Sequence, residues 1–219
     1  MAAKTEALKK GKKEDFYVFL DFDGVLYDLK YLAENAPSFK DIFTDDKKIF
    51  SYATDSIDAL NKLFERLSSK YEPHLVISTF WRFLPTSLLV KSLVSSGLNT
   101  EGIEIHKTKI TLHPHKRGLE VKDFLEHHDN SENFIIADDS YLDNYLEFFP
   151  REKIVKTNIM NDRLVASKLD VPLAYYKLDP IAPMMDNGDR LGGRTPDLHN
   201  NKNFQRLVAN APLDDLEMF

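Results

Sequence analysis

The sequence contains no cysteine, which excludes disulfide frameworks, thiolate nucleophiles and thiolate metal sites. It also contains no apolar run near the roughly 18 residues that a membrane-spanning helix requires. The Lys-rich N-terminus lacks the apolar core of a secretion signal, so we expect a cytoplasmic protein without a membrane partner. Positive charge is in the minority, and the net charge of −6 argues against a surface devoted to nucleic acid.

What is present suits one α/β domain with short appendages. The 219 residues, of which 42% are hydrophobic, are enough for a full core. Apolar strands alternate with amphipathic helices, which predicts an open, mainly parallel sheet with helices on both sides. The predicted strands are 16–20, 73–79, 103–105, 133–137 and 153–156; the predicted helices are one or two within 27–50, then 55–70 (capped by Thr54), 85–97, 117–128 and 141–149.

Both ends of the chain differ from this central domain, which we place at 15–176. Residues 1–14 form a basic arm, with five lysines against one glutamate in the first thirteen positions. Such an arm is typically solvated, although it could also touch a phosphate backbone. Residues 177–219 are rich in Pro and Gly and predict an extended tail. The tail either lies over its own domain, is disordered, or binds a protein partner.

The first predicted strand ends in two aspartates, Asp21 and Asp23, followed by Gly24. On an extended backbone, side chains two positions apart point the same way, so both carboxylates can face one point. Two like charges at such a short distance repel each other, so they require a cation between them or a shared proton. Gly24 allows a sharp turn off the strand end.

Polar side chains also end two other predicted strands. Ser78 and Thr79 follow the second buried strand, and Asp138 and Asp139 follow the third. The carboxyl ends of parallel strands meet at one edge of a sheet, where such sheets bind ligands. Magnesium prefers oxygen ligands and keeps several waters, so two or three of these carboxylates with a substrate phosphate would suffice.

The run D-F-D-G-V-L resembles the first motif of the haloacid dehalogenase (HAD) superfamily of phosphotransferases. The resemblance implies a three-layer Rossmann-like core, and the short segments between the motifs leave room for little or no cap. It also implies that Asp21 attacks phosphorus, that Asp23 is the general acid and base, and that Mg²⁺ lies between them. Within the acidic pair, Asp139 would bind the ion directly. Asp138 would contact the ion through a water molecule or would hold one of the groups that bind it. A surface acidic turn is the plain alternative.

Two further parts of the HAD pattern have candidates. A hydroxyl that donates to a phosphoryl oxygen should close the second strand, and Thr79 is the first choice with Ser78 as the alternative. A cation that offsets the charge of the aspartyl-phosphate should begin the helix before the last acidic strand. Lys116 and Arg117 both fit; Lys116 has the family's usual residue type, and Arg117 fits the helix spacing at least as well.

The run I-S-T-F-W-R resembles the hydroxyl-Trp-Arg signature of a HAD branch found in multi-domain RNA-repair proteins, and K-R-G-L-E-V and I-I-A-D-D fit that branch too. The resemblance implies that Trp81 stacks on a base and that Arg82 grips a phosphate. In the plain alternative, Trp81 packs in the core and Arg82 pairs with a carboxylate.

The segments between the motifs are too short for a large cap domain, so the predicted site is open. An open site favours a bulky phosphorylated substrate such as an RNA or DNA end or a phosphoprotein. The sequence leaves two alternatives: a 5′-nucleotidase or other small-molecule phosphatase, and a non-catalytic HAD-fold interaction module that works through its arm or tail.

Overall fold

The computed structural model describes residues 13–35, 52–110, 117–128, 131–140 and 142–181. The strands are β1 Asp15–Leu20, β2 Glu72–Ile77, β3 Glu104–Lys107, β4 Phe134–Asp138 and β5 Ile154–Lys156. The helices are α1 Leu29–Asn35, α2 Thr54–Ser68, α3 Thr86–Ser95, α4 Arg117–Glu126, α5 Asp143–Leu146 and α6 Asp170–Tyr175. Within the described residues the strands form one parallel sheet in the order β3-β2-β1-β4-β5.

The central strand β1 explains the apolar run at its sequence position. It pairs with β2 on one side and β4 on the other, and both of its faces are covered. Val18 and Leu20 face one apolar cluster, whereas Tyr17 and Phe19 face the other. Leu20 is level with both Ile77 and Ala137, so the residues that follow these three strands begin side by side.

The helices complete three layers, as expected for the HAD core. Helices α2, α3 and α6 contribute to the cluster on one face of the sheet. Helices α4 and α5 contribute Val121, Phe124 and Tyr145 to the cluster on the other face. The α/β fold with a parallel sheet is thus confirmed.

Some local predictions were wrong. Thr54 does not cap α2 but is its first helical residue; Ala53 holds the cap position without a side-chain hydrogen bond. Helix α5 ends at Leu146 rather than at Phe149, because the Phe149 ring turns to the sheet and packs 5.2 Å from that of Phe134. The 3₁₀ turn Phe80–Phe83 and helix α6 had no counterpart in the sequence analysis.

The predicted arm and tail lie almost wholly outside the described residues. The last described residues still belong to the domain, since Leu178 and Ile181 pack against the core. Of the one or two helices predicted within 27–50, α1 is present, and the rest of that range lies outside the described residues. None of the helices in the described ranges is long and apolar enough to cross a membrane.

Candidate active site

The site begins where β1 ends. The Asp21 amide donates to the Ala137 carbonyl at 3.0 Å, and the Ser78 amide donates to the Leu20 carbonyl at 2.9 Å. These backbone bonds continue the sheet by one residue and hold Asp21 level with Ser78. The Asp21 side chain is 1% exposed. The strand therefore delivers a buried carboxylate to the carboxyl edge of the sheet.

Gly24 turns the chain away from that edge. Its φ of +67° is in the left-handed region that favours glycine. A Cβ at this position would lie 2.4 Å from Oδ2 of Asp139. Glycine is therefore required twice, once for the backbone angle and once for the close approach of the Asp139 carboxylate.

Three carboxylates converge beside this turn. Asp21, Asp138 and Asp139 each place one oxygen within 4.8 Å of the others. They come from the ends of two neighbouring strands, and Asp21 and Asp138 are buried. The closeness of Asp21 and Asp139, on which the sequence hypothesis depends, is thus present. The donors are all oxygens, which is the ligand set that Mg²⁺ prefers.

The Asp23 carboxylate lies outside this group of three. Its Oδ1 accepts hydrogen bonds from the Tyr27 hydroxyl and from Nε1 of Trp81, the latter at 3.1 Å. These two donors hold the Asp23 carboxylate in place beside the turn at Gly24. Asp23 was predicted to bind metal together with Asp21, and that role stays a prediction.

Arg117, the first residue of α4, supplies positive charge. Its Nη1 lies 3.1 Å from Oδ2 of Asp21 and 3.5 Å from Oδ2 of Asp138, and it also donates to the Ser78 carbonyl. Lys116, the first choice for this cation, lies outside the described residues. Arg117 therefore bridges the two buried aspartates in the manner expected of the motif cation.

Burial raises the pKa values of carboxyl groups at the site. It raises the pKa of Asp21 well above its ordinary value, and the nearby Arg117 only partly opposes this. Burial also raises the pKa of Asp139 to about 6, with the charge of Asp138 adding to the effect and Lys156 opposing it. The charged forms of these carboxylates need more positive charge than Arg117 and Lys156 supply, and a divalent cation would provide it.

A tyrosine that sequence reasoning missed fixes Asp138. The Tyr145 hydroxyl donates to Oδ2 of Asp138 at 2.6 Å, and the Ser140 amide donates to Oδ1 at 2.6 Å. Helix α5 can bring Tyr145 here because it packs closely on α4: a Cβ on Gly118 would lie 2.0 Å from the Asn144 carbonyl oxygen. The sequence signal for this contact was a tyrosine, with its polar hydroxyl, at a helix position where an apolar side chain would be expected.

The two candidate hydroxyls differ in their surroundings. Oγ1 of Thr79 accepts from the Trp81 amide at 3.4 Å and caps the 3₁₀ turn. Oγ of Ser78 is buried and has no hydrogen-bond partner among the described residues. Ser78 is also the residue level with Asp21. The geometry therefore favours Ser78, the second choice, as the hydroxyl that meets a substrate oxygen.

Trp81 and Arg82 follow the plain alternative of the sequence analysis. Trp81 packs against the core and donates its indole N–H to Asp23. Arg82 is buried, lies 2.5 Å from Oε2 of Glu120 and donates to the Thr79 carbonyl at 2.6 Å. Both side chains are committed to protein contacts.

The exposed rings of this turn are its two phenylalanines, which sequence reasoning did not single out. Phe80 and Phe83 are each 57% exposed, and their ring centroids lie 5.8 Å apart. Phe80 directly follows Thr79 at the end of β2. Two large apolar rings thus face solvent next to the acidic edge.

A parallel sheet between two layers of helices, with carboxylates gathered at its carboxyl edge, is the architecture of a HAD-type domain. Residues 17–161 match the family model described as the HAD domain in Swiss Army Knife RNA repair proteins. The match covers more than half of the chain, which therefore belongs to this branch of the HAD superfamily. A search among curated proteins and a search among solved structures each gave no match.

Proposed function

We propose that the protein is a Mg²⁺-dependent phosphomonoester hydrolase that works through an aspartyl-phosphate. The observation that carries this proposal is the convergence of Asp21, Asp138 and Asp139 within 4.8 Å of one another, with Arg117 in contact with the first two. Phosphomonoesters are among the slowest bonds to hydrolyse unaided, requiring rate enhancements toward about 10²¹. A site that splits the reaction into two displacements and offsets its negative charge meets that demand.

In the first displacement, an Asp21 oxygen attacks phosphorus and the bond from phosphorus to the ester oxygen breaks. Asp23 gives its proton to the leaving oxygen, so an alcohol departs and an acyl phosphate remains on Asp21. Burial raises the pKa of Asp23, which increases its protonated fraction near neutral pH. The hydrogen bonds from Tyr27 and Trp81 hold the carboxyl group in place.

In the second displacement, Asp23 accepts a proton from a water molecule as that water attacks phosphorus. The bond from phosphorus to the Asp21 oxygen breaks, which releases inorganic phosphate and restores the carboxylate. Asp23 ends protonated and ready for the next turnover. The same residue thus serves as acid and then as base.

The remaining residues offset the negative charge of the reacting groups or hold the ion that does so. Asp21, Asp138 and Asp139 would hold Mg²⁺, which when bound offsets the charge of carboxylates and phosphoryl oxygens. Arg117 keeps its guanidinium on Asp21 and neutralises part of the phosphoryl charge. The unpartnered hydroxyl of Ser78 donates to a phosphoryl oxygen.

For the substrate we propose a nucleic-acid end. Phe80 and Phe83 expose aromatic rings beside the site, and bases stack on such rings for about 1–3 kcal/mol each. The family match to a domain of RNA repair proteins supports the same choice. This assigns the stacking role to the phenylalanines in place of Trp81.

The chemistry is tested by phosphate release from an aryl phosphate with and without Mg²⁺. We expect Asp21→Asn to lower turnover by at least about 10³-fold, because an amide cannot act as the nucleophile. Asp58→Asn, on an exposed position of α2, is the matched control and should leave turnover unchanged. Turnover that survives in Asp21→Asn would refute the mechanism, and no Mg²⁺-dependent turnover on any substrate would favour the interaction module.

The substrate is tested with phosphate-terminated oligonucleotides and mononucleotides. Phe80→Ala with Phe83→Ala should lower kcat/KM for oligonucleotides by about tenfold or more, which is the loss of one stacked base. The same double variant should leave the aryl phosphate rate unchanged. A wild-type preference for mononucleotides would point to a 5′-nucleotidase instead.

A further inference from the structure

A second group of side chains that have the chemistry of metal ligands lies away from the acidic edge. His74 of β2 is the register partner of Glu104 of β3, and His106 lies two positions further along β3. Side chains two apart on a strand share a face, so Glu104 and His106 both reach His74. His74 precedes Ser78 by four residues, about 13 Å of extended strand, which separates this group from the active site.

The donor atoms form a compact triangle. Nδ1 of His74 lies 3.1 Å from Nε2 of His106 and 3.5 Å from Oε2 of Glu104. Nε2 of His106 lies 3.7 Å from Oε1 of Glu104. Tetrahedral zinc with bonds of about 2.0–2.1 Å would separate its ligand atoms by about 3.3–3.4 Å. The separation of 3.1 Å between the two imidazole nitrogens is close to this value. The two Glu104 distances end on different oxygens, so that exposed carboxylate would turn one oxygen toward both imidazoles to complete the face of a tetrahedron.

The surroundings also suit a bound ion. His74 is buried, and its other nitrogen, Nε2, lies 3.4 Å from Oδ1 of Asp15 without forming an aligned hydrogen bond. A carboxylate behind a ligating histidine is the arrangement that orients such rings in metal sites. Nδ1 of His74 shares a hydrogen bond with Nε2 of His106, which an ion bound between the two nitrogens would replace. The Glu104 side chain is 68% exposed, so solvent reaches the triangle and a water can complete the coordination.

We infer that His74, Glu104 and His106 form a zinc site that ties the edge strand β3 to β2. Two imidazoles and one carboxylate select zinc over magnesium, which prefers oxygen ligands alone. The edge strand is only four residues long, and an ion that joins it to β2 adds a fixed link across the pair.

The test uses the full chain without an affinity tag and with excess Mg²⁺ present to occupy the acidic edge. Titration with Zn²⁺ should give one bound ion per chain and raise Tm by several degrees. Replacement of Zn²⁺ by Co²⁺ should give the strong visible absorption of tetrahedral Co²⁺. Octahedral or absent Co²⁺ bands, or no bound Zn²⁺ at micromolar free ion, would overturn the assignment.

Variants locate the ion. Glu104→Gln changes an exposed side chain and should weaken Zn²⁺ binding at least tenfold without unfolding the protein; His106→Ala should abolish binding. His127→Ala, an exposed histidine outside the triangle, should bind Zn²⁺ as the wild type does. Binding that survives Glu104→Gln and His106→Ala but is lost in Asp139→Asn would place the ion at the acidic edge and overturn the assignment.

Discussion

Two buried ionic groups lie close together in this domain and differ in their charge balance. Arg82 and Glu120 form a one-to-one pair, with both side chains almost fully buried. At the acidic edge, Asp21 and Asp138 share the single guanidinium of Arg117, and Asp139 adds a third carboxylate.

This difference distinguishes an ion pair that stabilises the fold from a group of charges suited to binding a ligand. A balanced pair neutralises its own charge and joins its two elements, here the turn after β2 and helix α4. A surplus of buried negative charge raises the pKa values of the carboxyl groups, and it destabilises the folded state when these groups are ionised. Such a surplus is expected where a protein binds a cation.

The largest effect is expected for the balanced pair. Arg82→Met leaves Glu120 buried without its cation and should lower the free energy of unfolding by about 3–5 kcal/mol. The double variant Arg82→Met/Glu120→Met should recover most of that loss, because it removes both charges at once. Chemical denaturation measures both, and a double variant no more stable than the single one would show that the pair is not self-contained.

The close approach at Gly24 comes next. Gly24→Ala places a methyl group against the Asp139 carboxylate and should lower turnover by about 10²-fold, since small misplacements of reacting groups cost that much. Gly102→Ala is the matched control: its φ of +72° is similar, and an added Cβ meets nothing within 4 Å. Both variants should lose about 1–2 kcal/mol of stability from the backbone angle. Equal turnover in the two would contradict the packing argument.

The smallest effect concerns pH. Burial raises the pKa of Asp139 from 3.8 to about 6, so its charged form opposes folding, and in metal-free protein this contribution to stability is lost as pH rises from about 4 to about 6. We expect Tm without metal to fall between about pH 4 and 6, and to fall less in Asp139→Asn. Mg²⁺ should restore the loss, and its affinity should weaken as pH drops below about 6, because the proton on Asp139 competes with the ion. A Tm with no such dependence on pH, metal or Asp139 would refute this prediction.

The fold was predictable to a large extent because it depends on short, strong patterns. The apolar run of β1 and the acidic ends of β1 and β4 indicated a parallel sheet with a site at its carboxyl edge. Which side chain does what was less accessible. Arg82 and Glu120 are 38 positions apart, and only packing shows that they neutralise each other.

The same limit applies to the hydroxyls and the rings. Ser78 and Thr79 are adjacent in sequence, and their difference depends on the 3₁₀ turn, which uses the Thr79 oxygen as its cap. That turn also decides that Trp81 points inward while Phe80 and Phe83 face solvent. Four aromatic and charged residues in a row carry no periodic signal from which this could be inferred.

We propose that the surplus of negative charge at the acidic edge binds Mg²⁺ beside a nucleophilic Asp21. A crystal structure with Mg²⁺ and beryllium trifluoride, which mimics a phosphoryl group on a carboxylate, tests this directly. We expect one cation in contact with Asp21 and Asp139, and beryllium bonded to an Asp21 oxygen. A cation elsewhere, or an Asp21 carboxylate that stays bare while another residue carries the mimic, would contradict it.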